Sequence, residues 1–235
     1  GVTFVIATGG IDFSIGSVLF CAALISGYCL TKYNVPLPVC LLMSVLIGTF
    51  FGTIGGFFVA YIHLPSFITS MALMLVAKGV GSIFTKTQSV SWPNLSSGQN
   101  VWFRYLVKWG DVPTGLFLLL LFAVICGVIL TKTRAGRYMI CLGSNKEAVR
   151  LSGVDVRRWE MLAYVISGTM AGLAAIFYVG AYTTVQPGLG DTFNNDAIAA
   201  CVMGGTSMAG GSASILGTII GAIIVALVQE GILAM

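Results

Sequence analysis

The residues that could do chemistry in this chain are the few acidic ones that interrupt long apolar runs. Asp12 lies within residues 9–17, and Asp196 follows a polar stretch over residues 186–195. A carboxylate at the centre of a bilayer costs about 2.5–3.5 kcal/mol, so we expect Asp12 to face the protein interior and to be hydrogen-bonded. Asp12 can cap the helix that follows it, aided by Ser14, and it can also contact a transported solute.

The other polar side chains in or beside apolar runs leave alternatives open. Asp196 can cap a half-helix that enters the membrane, or it can line a pathway. Lys78 can extend along its aliphatic stem to the interface, or it can face the interior of a bundle. His63 has no His, Cys, Asp or Glu cluster around it, which favours an interfacial polar residue over a metal ligand. The six cysteines form no CxxC pair and are interpreted as small apolar packing residues.

Motifs for enzymatic catalysis are missing from the sequence. It contains no GxxxxGK[ST], HExxH or GxSxG pattern. We therefore predict no catalytic residue, no metal and no cofactor bound by this chain. If the protein pumps a solute, the energy must come from another chain or from an ion gradient.

Membrane helices must position these residues, because the composition leaves no other class. Charged residues are 9% of the chain, against about 25% in an ordinary soluble domain. Hydrophobic residues are 57% of the 235 residues, and the mean hydropathy is +0.97. These values exclude a soluble globule, a disordered chain and a small disulfide scaffold. The net charge of +4 does not indicate nucleic-acid binding, since seven of the twelve basic residues fall between Lys132 and Arg158.

The apolar runs predict an all-α polytopic bundle with interrupted helices. A helix of about 20 apolar residues crosses the roughly 30 Å of hydrocarbon in a bilayer, which predicts about six to eight spans. One transmembrane domain covers residues 1–235, and we expect it to be truncated at both ends because both lie in apolar runs. The predicted spans cover residues 15–31, 38–62, 66–84, 115–131, 160–183 and 213–233, and residues 1–9 look like the tail of a further span.

The loops between these runs predict the orientation of the chain. Residues 131–159 hold seven Lys or Arg residues, whereas residues 85–114 hold three. The loop richer in Lys and Arg faces the cytoplasm, so residues 131–159 are predicted to be cytoplasmic and residues 85–114 external. The external loop carries three tryptophans suited to an interfacial position, Trp92, Trp102 and Trp109.

Two glycine-rich segments interrupt the apolar pattern. Residues 9–17 read GGIDFSIGS and residues 204–212 read GGTSMAGGS, each followed by an apolar helix. Backbone groups freed at membrane depth are tolerated only where they are buried in protein or line a wet cavity. Paired interruptions in two halves of a chain indicate a transport site. Elsewhere several glycines lie four residues apart, a spacing that favours close packing of helices in lipid.

A short helix is predicted within the basic loop. The segment has a polar start at residues 143–145, helix-favouring Lys-Glu-Ala at residues 146–148, and a stop at Gly153. A loop needed only for topology could be short and irregular. A helix at the cytoplasmic face can instead transmit force from a soluble partner.

Five stretches together resemble the sugar-type permease subunits of bacterial ATP-binding-cassette (ABC) importers, the ribose, galactoside, xylose and autoinducer-2 group. They occur in the family order and span nearly the whole chain. They are GGIDFSIGS from residue 9, LPSFIT from residue 64, GRYMICLGSNKEAVRLSGV from residue 136, DAIAAC from residue 196 and GGTSMAGG from residue 204. Residues 147–149 with Gly153 are also similar to the Glu-Ala-Ala…Gly coupling motif of importer permeases. Family members commonly carry Glu-Leu where this chain has Asn194-Asn195.

The resemblance implies a permease subunit in the bacterial cytoplasmic (inner) membrane that moves a ribose-like monosaccharide inward by alternating access. The implied partners are a second permease in a homo- or heterodimer, ABC ATPase subunits that use ATP, and a periplasmic or lipid-anchored sugar-binding protein. The ATPase is expected to dock on a coupling loop, residues 131–159. The implied coupling residues are Gly143, Asn145, Glu147, Ala148, Ser152 and Gly153. The resemblance also puts Asp12, Ser14, Thr206 and Ser207 near the translocation path, to which Asp196 is added as a residue that can line it.

Three other functions compete with this interpretation. A permease for branched-chain amino acids or nucleosides is the nearest, and the Gly-Ser-Asn coupling segment and the Gly-Gly-Ile-Asp break favour sugar over it. An ion-coupled secondary transporter with broken helices would need no ATPase partner. A membrane scaffold would show no dependence on any solute. The elaborate cytoplasmic loop argues against the last two.

Overall fold

The computed structural model describes residues 1–93, 102–110 and 112–233, and these residues are mostly helical. The predicted all-α class is therefore confirmed. The helices are α1 (Val2–Ala7), α2 (Ile15–Lys32), α3 (Leu37–Ala60), α4 (Ser66–Phe84), α5 (Thr114–Lys132), α6 (Arg134–Ser144), α7 (Lys146–Leu151), α8 (Val156–Ala181), α9 (Asp191–Met203) and α10 (Ile215–Leu233). A 3-10 helix covers Trp102–Leu106, and two short strands are β1 (Val90–Ser91) and β2 (Thr184–Val185).

Six of the helices in the described part of the chain are long and apolar enough to cross a membrane. They are α2, α3, α4, α5, α8 and α10, and they match the six predicted spans closely. Proline helps to set two of the boundaries. α3 follows Pro36 and α4 follows Pro65, because proline has a φ suited to a helix start and no N–H to donate.

The core of the bundle is built around α2. This helix packs against α3, α4 and α8, and most of its residues are buried. By contrast, α5 and α10 leave most of their residues exposed although they are strongly apolar. A helix that is apolar all round suits contact with lipid or with another membrane chain. Five of the six cysteines are buried, as packing residues should be, and Cys141 is exposed.

Glycines bring α3 and α8 into close contact. A Cβ at Gly48 would collide with the carbonyl oxygen of Gly168, and a Cβ at Gly168 would collide with that of Gly48. The hydroxyl oxygens of Thr49 and Thr169 lie 2.9 Å apart across the same seam. Small residues allow such an approach, which replaces the hydrophobic effect as the source of helix association in lipid. The predicted role of the four-residue glycine spacing is confirmed for this pair of helices.

The loop predicted to be external is fastened to the C-terminal halves of α2 and α8. β1 pairs antiparallel with β2, which follows α8. Trp92 comes directly after β1, is only 3% exposed, and donates its indole N–H to the carbonyl of Ala23 at 3.3 Å. Gly27 of α2 leaves room for the Trp92 ring, which is therefore packed inside the protein. Trp102 and Trp109 are exposed.

Replacing Gly168 with alanine tests the α3–α8 seam. The added Cβ would force the backbones apart, so Gly168→Ala should destabilise the protein by about 1–3 kcal/mol, as overpacking does elsewhere. The measurement is the thermal unfolding midpoint in detergent. Gly127→Ala is the matched control, since a Cβ at Gly127 of α5 meets nothing within 4 Å. Equal midpoints for the two variants would contradict the seam.

Candidate functional site

Asp12 lies in the first non-helical break, residues 8–14, between α1 and α2. Its side chain is 4% exposed. Its Oδ1 accepts hydrogen bonds from the Ser14 backbone N–H at 2.9 Å and from the Ser14 hydroxyl at 2.7 Å, and its Oδ2 accepts one from the Ser167 hydroxyl at 3.0 Å. Asp12 thus closes a turn ahead of α2, with Ser14 at the N-cap position. The predicted interior, hydrogen-bonded placement is confirmed. The N-cap residue of α2 is Ser14 and not Asp12, and the helix begins at Ile15, where the predicted span begins.

The first break is also held by α4. Ser66 accepts a hydrogen bond from the Ile11 N–H at 3.2 Å, and Ser70 donates one to the Ile11 carbonyl at 3.2 Å. Tyr164 of α8 is 2% exposed, and its hydroxyl has no hydrogen-bond partner among the described residues. A small cavity lies between Asp12 and Tyr164 and is also lined by Ser14, Thr69 and Ser70. The freed backbone of the break is therefore covered by protein, as lipid requires.

The second break, residues 204–214, touches the first. The N–H of Gly211 donates a hydrogen bond to the carbonyl of Ala7 at 3.1 Å. Thr206 is 2% exposed, whereas Ser207 is partly exposed and its N–H donates to the Ser212 carbonyl at 3.0 Å. The two interruptions that the sequence shows at opposite ends of the chain therefore meet in space.

Gly143 of α6 completes a three-way contact, which we call the glycine junction (Gly9, Gly143, Gly210 and Gly211). A Cβ at Gly143 would collide with the carbonyl oxygen of Ala7 and the nitrogen of Gly211. Gly9, Gly210 and Gly211 all have positive φ, between 79° and 86°, a conformation that glycine adopts without steric cost. The first residue of the predicted coupling segment thus packs on both breaks.

The rest of the predicted coupling segment forms α7 and its caps. Asn145 is the N-cap residue, and its Oδ1 accepts a hydrogen bond from the Ala148 N–H at 3.0 Å. Ser152 donates its hydroxyl to the Val149 carbonyl at 2.7 Å, and Gly153 ends the helix with φ +81°. The predicted short helix is confirmed. The sequence did not indicate that α6, immediately before it, is also helical.

Asp196 lies apart from the other residues assigned to the path. It is in the middle of α9, and its Oδ1 accepts a hydrogen bond from the side-chain amide of Gln229 on α10 at 2.7 Å. Gly190 is the N-cap residue of α9, so the interpretation of Asp196 as a helix cap is wrong. Since α9 rises about 1.5 Å per residue, Asp196 lies roughly 12 Å along the helix from Gly204.

Two contacts in the first turn of α9 were not predicted from the sequence. Asn194 is 1% exposed, and its Oδ1 accepts a hydrogen bond from the Gly16 N–H at 2.6 Å. Lys78 of α4 forms an ion pair with Asp191 at 2.5 Å, which settles the question of where this lysine points. Both contacts join residues more than 100 positions apart, so periodicity carries no signal for them. The one sequence feature that set Asn194 apart was that this chain has Asn194-Asn195 where family members commonly carry Glu-Leu.

An apolar cavity of about 260 Å³ lies between α2, α8 and α9, beside the start of α1. Leu19 and Ala174 line its walls, Phe193 lies on the α9 side, and Ser167 contributes a hydroxyl. Ser167 also bonds Asp12, so the serine separates the cavity from the buried carboxylate. The sequence had not identified Phe193 or Ser167 as site residues.

The sequence of this chain is similar to those of several named import permeases. The family described as branched-chain amino acid transport system / permease component matches residues 1–235. The ribose import permease protein of Escherichia coli K12 is 34% identical, over 99% of this chain and 72% of its own length. The fructose import permease protein of Rhizobium meliloti is 29% identical, over 98% of this chain and 65% of its own. The xylose transport system permease protein of E. coli K12 is 28% identical, over 98% and 73%. No solved structure matches the chain.

Replacing Gly143 with alanine tests the glycine junction. The new methyl group would push α6 away from both breaks, and we expect a loss of about 1–3 kcal/mol in stability. Thermal unfolding and hydrogen exchange of the Gly211 amide both report this change, and the amide should exchange faster. Cys141→Ala is the control, because Cys141 lies on the same helix with its side chain exposed. If the Gly211 amide exchanges equally slowly in the Gly143→Ala and Cys141→Ala variants, the junction is not close-packed.

Proposed function

We propose that this chain is the membrane-spanning subunit of an ABC importer for a simple monosaccharide. The chain belongs to the family of branched-chain amino acid transport system permease components. The relatives described above import ribose, fructose or xylose by name. These names favour a sugar over a branched-chain amino acid, although the family description mentions the latter. No single one of the three sugars is favoured.

The observation that carries the mechanism is the glycine junction. Gly143 of the coupling loop lies in backbone contact with Ala7 and Gly211, which flank or belong to the two breaks. Because these backbones are in direct contact with no space between them, a displacement of α6 and α7 must move both breaks together. This supports a transporter in which a force at one end of the bundle changes the accessibility of a central path.

A separate ATPase subunit supplies that force in the proposed mechanism. The side chains of Glu147, Ala148 and Leu151 are exposed on α7, and Leu151 is 78% exposed. An exposed leucine on a short polar helix is a suitable anchor for a partner surface. Binding and hydrolysis of ATP belong to that partner, in keeping with the lack of a P-loop in this sequence. The coupling residues keep the assignment given to them by the family resemblance.

The translocation path follows the apolar cavity toward the junction in this proposal. The sugar passes Ser167 and meets Asp12 and Ser14 when the first break moves, and Thr206 and Ser207 when the second break moves. Their hydroxyl and carboxylate groups can bond sugar hydroxyls that have lost water. Asp196 lies nearer the outer end of the path. Alternating access then consists of opening and closing the contact between the two breaks.

The remaining partners follow from the same function. A periplasmic or lipid-anchored binding protein delivers the sugar to the external loops, and a second permease, identical or related, completes the path. The exposed apolar faces of α5 and α10 are available for lipid or for that second permease. The protein is accordingly a multi-pass component of the bacterial cytoplasmic membrane.

Two substitutions, one in α7 and one just after it, test the coupling role. Gly153→Pro should abolish sugar-stimulated ATP hydrolysis, because proline can neither adopt φ +81° nor keep the Gly153 N–H bond to the Arg150 carbonyl. Glu147→Arg should do the same, since it replaces the ion pair with Arg150 by repulsion at the helix N-terminus. The measurement is ATP hydrolysis by the purified complex, with membrane insertion checked in parallel.

Gly153→Asn and Arg157→Gln are the controls. Asparagine tolerates positive φ, and a Cβ at position 153 meets nothing within 4 Å, so stimulation should largely survive. Arg157 is an exposed basic residue on the first turn of α8. Retained stimulation in both Gly153→Pro and Glu147→Arg would contradict the coupling role. Uptake that needs no ATPase and stops with an uncoupler would favour an ion-coupled transporter instead.

A further inference from the structure

An ion pair links α7 to α8 at the cytoplasmic end of the bundle. The Lys146 ammonium lies 2.9 Å from Oε1 and 2.7 Å from Oε2 of Glu160. Lys146 is the first residue of α7, and Glu160 lies in the second turn of α8. Lys146 lies within the predicted coupling loop, residues 131–159, but neither residue is one of the six coupling residues that the resemblance implied. The contact joins the helix proposed to receive the force to a membrane-spanning helix.

This ion pair differs from the other two at the same end of the described structure. The pairs Glu147–Arg150 and Asp155–Arg158 are three residues apart and exposed, with all four side chains at least 46% exposed. Such pairs contribute little to stability. The Lys146 side chain is 53% exposed, but the Glu160 side chain is only 13% exposed and accepts both contacts from a residue on another helix. Lys146–Glu160 is therefore the ion pair suited to hold α7 in a fixed position against α8.

Glu160 shares a face of α8 with the residues that hold the first break. Positions 160, 164 and 167 are separated by four and three residues, which places them in a row along the helix. Tyr164 has its hydroxyl against Gly10, where a Cβ would lie 2.6 Å from it. Ser167 donates its hydroxyl to Asp12 at 3.0 Å. About 10 Å of continuous helix separates Glu160 from Ser167, so the two ends move as one body.

The space around the ion pair allows it to move. A cavity of about 270 Å³ separates Lys146 and Glu160 from the break at Thr8, Gly9 and Gly10. His63, in the turn between α3 and α4, lies on its far side. The pair is thus free to shift without displacing packed side chains, whereas Tyr164 and Ser167, one turn or more deeper, are buried.

We propose that Lys146 and Glu160 are positioning residues for transport, because their ion pair makes α8 a lever between the coupling helix and Asp12. When the ATPase displaces α7, the pair pulls the cytoplasmic end of α8. The row of Glu160, Tyr164 and Ser167 carries that displacement to the first break. This inference rests on the proposed function, and it adds a second connection beside the glycine junction.

The test compares charge removal with charge exchange in the full complex of permease, ATPase and binding protein in nanodiscs. The measured quantity is ATP hydrolysis stimulated by binding protein loaded with D-ribose, D-xylose or D-fructose. Lys146→Met and Glu160→Gln should each lower the stimulation at least about fivefold, the lower end of typical coupling energies. Lys146→Arg should retain it, and the exchange Lys146→Glu with Glu160→Lys should recover most of it. Recovery in the exchange would show that the two charges act as a pair.

Glu230→Gln is the matched control. It removes one exposed carboxylate on α10, outside residues 131–159. Stimulation and co-purification of the ATPase should match the wild type. Full stimulation in both Lys146→Met and Glu160→Gln would overturn the inference, as would failure of the Lys146–Glu160 exchange to recover either variant.

Hydrogen exchange of the amides at residues 9–14 tests the lever without any sugar. Lys146→Met and Glu160→Gln should speed exchange there, and the charge exchange should restore protection. Unchanged protection in both single variants would overturn the lever. A wild-type complex that no sugar stimulates would instead refute the proposed function, and the amide exchange would still decide for or against the lever.

Discussion

The fold depends on how the backbone N–H and C=O groups outside the helices find hydrogen-bond partners. Inside a bilayer, an unpaired N–H or C=O has no water to bond. The two breaks supply hydrogen-bond partners to each other: the Gly211 N–H donates to the carbonyl of Ala7. The glycines of both breaks allow the backbones to come into contact. α6 lies against both breaks because Gly143 presents no side chain. The position of the coupling helix at the end of the bundle follows from that arrangement.

The features that sequence predicted correctly depend on local composition. The six spans were placed closely because each is a run of apolar residues of bilayer length, bounded by proline, lysine or polar residues. Both breaks were found from glycine content, and α7 from the polar residues at its ends. Each of these signals lies within the segment that it describes, so a single sequence suffices to detect it.

The features that sequence missed depend on residues distant in the chain. Asp196 was interpreted as a helix cap, yet α9 already begins at Asp191 and its partner is Gln229. The direction of Lys78 and the burial of Trp92 depend on Asp191 and on Ala23 respectively. Ser167 gave no local signal, because a serine in an apolar helix reveals its role only beside Asp12. Tertiary contact, which no periodicity encodes, decided every one of these positions.

The bond between Ala7 and Gly211 has a consequence for the biosynthesis of the protein. Its two residues lie near opposite ends of the described chain, and polypeptides emerge from the ribosome N-terminus first. The carbonyl of Ala7 therefore cannot accept its hydrogen bond from Gly211 until all the intervening spans have been inserted. Closure of the glycine junction therefore follows synthesis of every span between residues 7 and 204. A product that terminates before residue 204 would leave Gly143 without its backbone partner at Gly211.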